Sequence, residues 1–336
     1  MSFWRLGVLL LACALAACSE PKASEPRGER RSLDPPKAAS REPLEPLPDV
    51  PPLDPKIVAL GRRLFHERRL SADGSVACSS CHDLERGGVD GQVRSSGVGG
   101  KRGAVNAPSV YNAALNFVQF WDGRAATLEE QIGFPVTNPA EMGTSFARVL
   151  AFLQADPDYA AAFKAAFPSG VTDANARRAI ADFERTLLTR GSPFDRFLAG
   201  DEHALALDAR AGYETFKSVG CIACHQGRNV GGNMFQRFGV LGDYFKDRGN
   251  VTEADYGRFN VTHNEADRFV FRVPSLRNVA RTAPYFHDGS AATLTQAVQV
   301  MARYQLGRKL SDEQVTSIIA FLQSLSGALA PAGEKG

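Results

Sequence analysis

The sequence predicts an all-α fold in two successive domains, preceded by an export leader and an extended tether. Three observations carry that expectation. Apolar residues recur at helical spacing in several stretches after residue 54. No run of alternating apolar and polar residues marks a strand. A five-residue pattern, Cys-x-x-Cys-His, occurs twice at long range, each time inside a mainly helical segment. At 336 residues the chain is long enough for two domains. It is 44% hydrophobic and 23% charged, an ordinary globular composition, and its net charge of +2 with no basic, aromatic-interleaved run argues against nucleic acid.

The leader comes first. Arg5 precedes the apolar run Leu6 to Ala17, which is too short for a stable membrane span and ends in Leu15-Ala16-Ala17-Cys18. That ending resembles a bacterial lipobox, which makes residues 1–17 the signal peptide and Cys18 a lipidation site; an ordinary cleaved signal with a chance cysteine is the plain alternative. One lipidated end anchors a protein without spanning the bilayer. Ser19 after the cysteine points to the outer membrane in organisms with that sorting system. Residues 18–53 are rich in Pro, Glu, Lys, Arg and Ser and nearly free of aromatics, so they read as a disordered tether.

The helices follow. Asp54-Pro55 opens one through His66, with Ile57, Leu60, Leu64 and Phe65 on its apolar face. Thr144 to Phe167 is helical except near Pro157, and Thr172 caps a helix to about Leu188. After Ser192-Pro193, Leu205 to Phe216 leads into the second cysteine motif. Thr293 to Tyr304 and Asp312 to Leu325, capped by Ser311, close the chain. Glycine-rich loops fill the remainder.

Of six cysteines, Cys13 lies in the leader and Cys18 is the lipid site. The other four form Cys78-Ser79-Ser80-Cys81-His82 and Cys221-Ile222-Ala223-Cys224-His225. An exported protein would ordinarily spend four cysteines on disulfides. A histidine directly after each pair is instead the attachment signature of c-type haem, with about 0.002 chance matches expected for one motif at this composition. Two thiols add to the porphyrin vinyl groups and the histidine ligates the iron. Redox dithiols and zinc sites do not call for that histidine. The fold class is therefore all-α, two cytochrome c-like domains at residues 54–195 and 196–330, each with one covalently bound haem.

The role of each haem depends on its sixth ligand: methionine closes the iron for electron transfer, and an open position permits chemistry. Mature methionines are Met142, Met234 and Met301. Met301 lies at a suitable distance after the second motif, although a methionine in an amphipathic helix is more often core.

Two sets of segments then match a known family. Val105-Asn106-Ala107-Pro108-Ser109, Gln119-Phe120-Trp121-Asp122-Gly123-Arg124, Gln131 and Asn138-Pro139-Ala140-Glu141-Met142 form the first. Phe271-Arg272-Val273-Pro274-Ser275-Leu276-Arg277-Asn278-Val279, Ala283-Pro284-Tyr285-Phe286-His287-Asp288-Gly289, Met301 and Gln305-Leu306-Gly307 form the second. Together they resemble the bacterial dihaem cytochrome c peroxidases over about residues 54–325. The resemblance implies that Cys78, Cys81 and His82 hold a peroxidatic haem. Cys221, Cys224, His225 and Met301 would hold an electron-transfer haem. Glu141 would be the acid–base group over the first iron, with Gln131 beside it and Trp121 as relay between the haems. Asn106 with the carbonyls of Thr282 and Pro284 would bind a calcium ion. Taken alone, Glu141 also reads as a helix-terminal carboxylate and Trp121 as a core aromatic. His287 would hydrogen-bond near the second haem, whereas His66, His203 and His263 read as surface or packing residues.

One departure matters. Many family members carry a second histidine before the Asn-Ala-Pro segment, a place that falls in Ser96-Gly97-Val98-Gly99-Gly100, nearest Val98. No histidine lies between His82 and His203, so the first iron is expected to be open when oxidised. The resemblance implies reduction of hydrogen peroxide with electrons from a small periplasmic cytochrome or copper protein, and a homodimer. The alternatives are a protein-modifying oxidase similar to the methylamine dehydrogenase maturase, in which tyrosine stands at the Met301 place (Tyr304 is nearby), and a passive dihaem carrier.

Overall fold

The computed structural model describes residues 42–329; the leader, Cys18 and the tether up to residue 41 lie outside them. No helix among the described residues is long and apolar enough to cross a membrane.

Helix α1 (Pro55–His66) starts where Asp54 accepts the Lys56 N–H at 2.8 Å, with proline in the first turn. It buries Ile57, Leu60, Leu64 and Phe65, the stripe its spacing predicts. The short α2 (Cys78–Cys81) carries the first thiol pair. Then come α3 (Leu128–Thr137), α4 (Phe146–Ala155), α5 (Pro157–Ala166) and α6 (Asp173–Arg185). The expected break falls at Asp156-Pro157: proline cannot donate to the preceding turn, and Asp156 caps α5 by accepting from Asp158 and Tyr159. Thr172 caps α6, which stops at Arg185 rather than Leu188.

The second half contains α7 (Pro193–Leu198), α8 (Leu207–Val219), α9 (Tyr244–Arg248), α10 (Phe259–Thr262), α11 (Leu294–Val300) and α12 (Asp312–Ser324). A single π turn, Met301–Gln305, extends α11. One small sheet qualifies the all-helical expectation. Strands β1 (Phe235–Arg237) and β2 (Val270–Arg272) pair antiparallel, with Phe235 opposite Arg272. Three residues are too few for alternation to show in the sequence.

Apolar side chains gather around two principal centres. One joins α1 and α3–α6 through residues such as Leu64, Phe65, Leu153, Phe163 and Phe183. The other joins α7, α8 and α12 through Phe194, Tyr213, Phe216, Phe321 and Leu325. Membership changes between Leu187 and Phe194. Each centre has a helix crossing so close that only glycine fits. A Cβ on Gly61 would sit 1.8 Å from the Ala179 carbonyl oxygen, and one on Gly212 would sit 1.8 Å from that of Ser317.

The tether expectation of residues 18–53 requires correction at its C-terminal end. Leu44 is fully buried and Leu47 nearly so, Leu44 within the second core. Tyr213 Oη donates to Glu42 at 2.6 Å, the Leu47 N–H donates to Asp195 at 3.2 Å, and Arg277 donates to the Glu45 carbonyl at 2.9 Å. Residues 42–47 therefore dock on the second half. Their composition cannot fold alone, but two leucines entering an existing core need no partner from their own neighbourhood.

The two halves repeat more than the cysteine motif. Residues 107–131 and 273–297 align without a gap. Asn112 and Asn278 both take left-handed backbone (φ 60° and 59°), as do Phe120 and Phe286 (69° and 71°). Bridges Gln119–Ala125 and Tyr285–Ala291 follow at equivalent places. Thr127 then caps α3 as Thr293 caps α11.

Candidate active site

The first thiol pair sits on α2, where the Ala77 N–H donates to Ser80 Oγ at 2.9 Å and holds the turn. The second follows α8, whose end is formed by Gly220 at φ 107°. None of these four cysteines is in a disulfide. Each following histidine is oriented the same way: His82 Nδ1 lies 3.2 Å from the Gly88 carbonyl oxygen and His225 Nδ1 3.4 Å from that of Val230. Carbonyls of Pro108 and Pro274 also face these rings. Holding Nδ1 as the donor leaves Nε2 as a neutral metal ligand. Burial favours that neutral form, lowering His82 and taking His225 to about 4 against the carbonyls' pull. Burial likewise raises Cys78 to about 12 and Cys221 to about 11, as befits thiols set in an apolar pocket.

The donor set fits haem c in both halves. In the second, Cys221, Cys224, His225 and Met301 line one cavity with Phe216 and Leu294 among its apolar walls. Met301 opens the π turn, a local irregularity common at functional positions. Tyr304, the residue that kept another ligand in view, turns away and donates to Asp247 at 3.0 Å. Met142, by contrast, is core.

In the first half, the residue eight places after the α3 cap is Pro135, where α11 has Met301 eight places after its cap. Proline offers no ligand atom. Glu141 stands in the turn closing α3. Asn138 builds that turn: its side-chain oxygen accepts the Ala140 N–H at 2.9 Å, and its amide donates to Glu141 Oε1 at 2.6 Å. Burial raises the Glu141 carboxyl, partly offset by Asn138 and the charge of Arg124. The carboxylate is near enough to Cys78 and Cys81 to push both thiols further up. Gln131 lies on α3, half-buried, its side chain without a hydrogen bond among the described residues. Seven residues before Asn138, it falls on the same helical face.

The loop expected to carry a histidine instead presses glycine and valine on the Glu141 turn. The Val98 N–H donates to the Glu141 carbonyl at 2.8 Å, and a Cβ on Gly97 would lie 2.1 Å from the Ala140 carbonyl oxygen.

Trp121 borders the second cavity. Its indole N–H donates to the Asn106 carbonyl at 2.9 Å, two residues before the Pro108 carbonyl that faces His82. The tryptophan thus connects the neighbourhoods of both histidines. Asn106, Thr282 and Pro284 line that same cavity. Asn106 Oδ1 and the carbonyls of Thr282 and Pro284 accept no hydrogen bond among the described residues, leaving three oxygens available to a cation.

Sequence reasoning did not find the network behind His287. Its Nε2 is 2.7 Å from Asp255 Oδ1, and its ring stacks on Phe271 at 4.5 Å. Burial raises Asp255, but hydrogen bonds from His287, Arg248 and Thr252 outweigh it and hold the carboxyl well below its ordinary range. Asp255, His287 and Asp288 have metal-like spacing, yet Arg248 ion-pairs with both acids and supplies the positive charge instead. No local motif announces such a cluster.

The family model described as di-haem cytochrome c peroxidase matches residues 55–203. Cytochrome c551 peroxidase of Nitrosomonas europaea is 45% identical over 290 residues, covering 86% of this chain and 85% of that protein. Cytochrome c peroxidase Ccp of Escherichia coli K12 is 48% identical over 291 residues, covering 86% of this chain and 62% of the longer relative. Methylamine utilization protein MauG of Methylorubrum extorquens is 35% identical, covering 96% of this chain and 93% of its own. Among solved structures, a MauG-like protein associated with microbial copper homeostasis superposes with a TM-score of 0.74 at 30% identity, covering 84% of this chain and 93% of that one. The chain belongs to the di-haem cytochrome c peroxidase family of enzymes.

Proposed function

We propose that this enzyme reduces hydrogen peroxide to two waters, taking two electrons and two protons per turnover. The observation that carries the reading is the asymmetry between equivalent helices: Met301 lines the cavity of the second motif, whereas Pro135 holds the equivalent place on α3 and a half-buried carboxyl, Glu141, stands in the turn that closes that helix. Haem c, held by Cys78, Cys81 and His82 in the first half and by Cys221, Cys224, His225 and Met301 in the second, would supply the redox chemistry: peroxide reduction at the first site and electron storage at the second.

The chain's own residues do the rest. Glu141 moves a proton from one peroxide oxygen to the other, so the departing oxygen leaves as water. Gln131 orients the substrate as a neutral amide. His225 and Met301 close the second site to ligands. Trp121, bonded to the Asn106 carbonyl and bordering the second cavity, carries electrons toward His82. Val98, pressed on the Glu141 turn in place of an imidazole, leaves the first site open before any electron arrives. Asn106, Thr282 and Pro284 hold a calcium ion beside Trp121. The two halves act as separate haem domains, and the donor is a small periplasmic cytochrome or copper protein. The enzyme works in the periplasm as a homodimer, held to the outer membrane through Cys18.

Relatives named MauG keep a protein-modifying oxidase as the second reading. Met301 on the cavity wall and Tyr304 committed to Asp247 favour the peroxidase.

Steady-state peroxide turnover with a reduced small cytochrome tests the assignment. Glu141→Gln should lose about 10²- to 10⁴-fold in rate, the usual worth of a positioned acid–base group. Wild-type turnover should fall on the acid side above pH 4.5, because the Glu141 carboxyl is raised from that value. Near-normal turnover of the glutamine variant would remove Glu141 from the chemistry.

A further inference from the structure

One buried charge lining the second cavity has no carboxylate partner among the described residues. Arg272, on β2, is 3% exposed. Its backbone N–H donates to the Trp121 carbonyl at 2.8 Å and its Nε to the Phe120 carbonyl at 3.1 Å. Nη1 is buried and makes no hydrogen bond, and no carboxylate ion-pairs with the guanidinium among the described residues. Arg277, also buried, is treated differently: it meets Asp195 at 2.7 Å and the Glu45 carbonyl at 2.9 Å. Half-buried Arg248 holds two carboxylates. A buried charge without a counter-charge is strongly unfavourable, so a stable fold supplies an anion.

The place of Arg272 says which anion. It lines the cavity that Cys221, Cys224, His225 and Met301 share, next to Trp121. A porphyrin attached there by two thioethers carries two carboxylates on the ring edge away from them. A planar guanidinium is the side chain best matched to a carboxylate. We infer that Arg272 is the counter-ion of a carboxylate on the group held at Cys221 and Cys224, and that it fixes this edge against the Trp121 backbone. The assignment rests on the haem reading above. It makes Arg272 a positioning residue with two duties: its positive charge favours the reduced iron, and its grip sets the spacing between the haem edge and Trp121.

Holoenzyme with Arg272→Gln and Arg272→Lys tests this. Mass spectrometry counts the attached haems, resonance Raman spectra follow the propionate bending bands, and a redox titration follows the methionine-ligated haem. With both haems attached, the glutamine variant should show shifted propionate bands and a lower midpoint potential for the second haem. The lysine variant should keep most of the potential but shift the bands, since one ammonium replaces a planar fork. A role confined to holding the Phe120 and Trp121 carbonyls would loosen the protein and leave the bands in place. Unchanged bands and potential in the glutamine variant overturn the assignment. Should that variant fail to accumulate, the lysine variant decides by its bands, which overturn the assignment if they do not move. Wild type lacking haem at Cys221 and Cys224 would instead sink the haem reading itself.

Discussion

Two carboxyl groups act on the first thiol pair, buried Glu184 and half-buried Glu141, and their surroundings give them different parts. Glu141 has an amide donor in Asn138 and a neighbouring charge in Arg124, which offset part of the upward push of burial. Glu184, on α6, makes no side-chain hydrogen bond among the described residues. Burial pushes it up to about 8, beyond what Arg185 recovers. Its folded value thus lies above the ordinary 4.5, so its proton stabilises the fold at acid pH and is lost to that purpose as pH rises. Stability should fall between about pH 4.5 and 8, whereas Glu184→Gln, neutral throughout, should lack this fall. The gap near pH 8 is on the order of several kcal/mol. Chemical denaturation of both holoproteins at pH 5 and pH 8 measures it; parallel pH profiles would show Glu184 charged at little cost.

Elements carry the difference between the two sites. Helices α3 and α11 begin with the same threonine cap after the same bridged turn, yet eight residues on one offers Pro135 and the other Met301. What the first helix lacks in a ligand it supplies in its terminal turn, where Asn138 fixes Glu141. The 96–102 loop, closed by the Ser96–Arg102 bridge, leans on that turn through Gly97 and Val98. A methyl at Gly97 would meet two carbonyl oxygens, at 2.1 and 2.5 Å. Backbone cannot yield as a side chain does, so Gly97→Ala should cost about 1–3 kcal/mol and lower peroxide turnover by displacing Glu141. Thermal unfolding and turnover together check it, and an alanine variant normal in both would show that the contact is not needed.

The molecule as a whole joins segments distant in the chain. Residues 42–47 close the second core, although the first cysteine motif and all of α1–α6 intervene. Leu44→Ala should destabilise by about 2–5 kcal/mol, the cost of a buried leucine cavity. A shift of less than half a kcal/mol in denaturant unfolding would mean that this strap adds nothing to the fold. The strap also places Glu45 over Arg277, so loosening it exposes the buried Arg277–Asp195 pair.

Cysteine motifs, helix caps and the proline break were legible because each depends on residues a few places apart: Asp54, Asp156, Thr172, Thr293 and Ser311 all cap where their local pattern says. Family resemblance supplied the pairing of Glu141 with the first motif and Met301 with the second. Tertiary structure alone decided the partners of buried charges. That Arg248 neutralises Asp255 and Asp288, that Arg277 finds Asp195, and that Arg272 and Glu184 make no ion pair among the described residues depends on segments meeting across many residues. The physical reason is range. Backbone capping and covalent attachment act between chain neighbours and are written in spacing, whereas desolvation and charge pairing are properties of a place in the folded molecule.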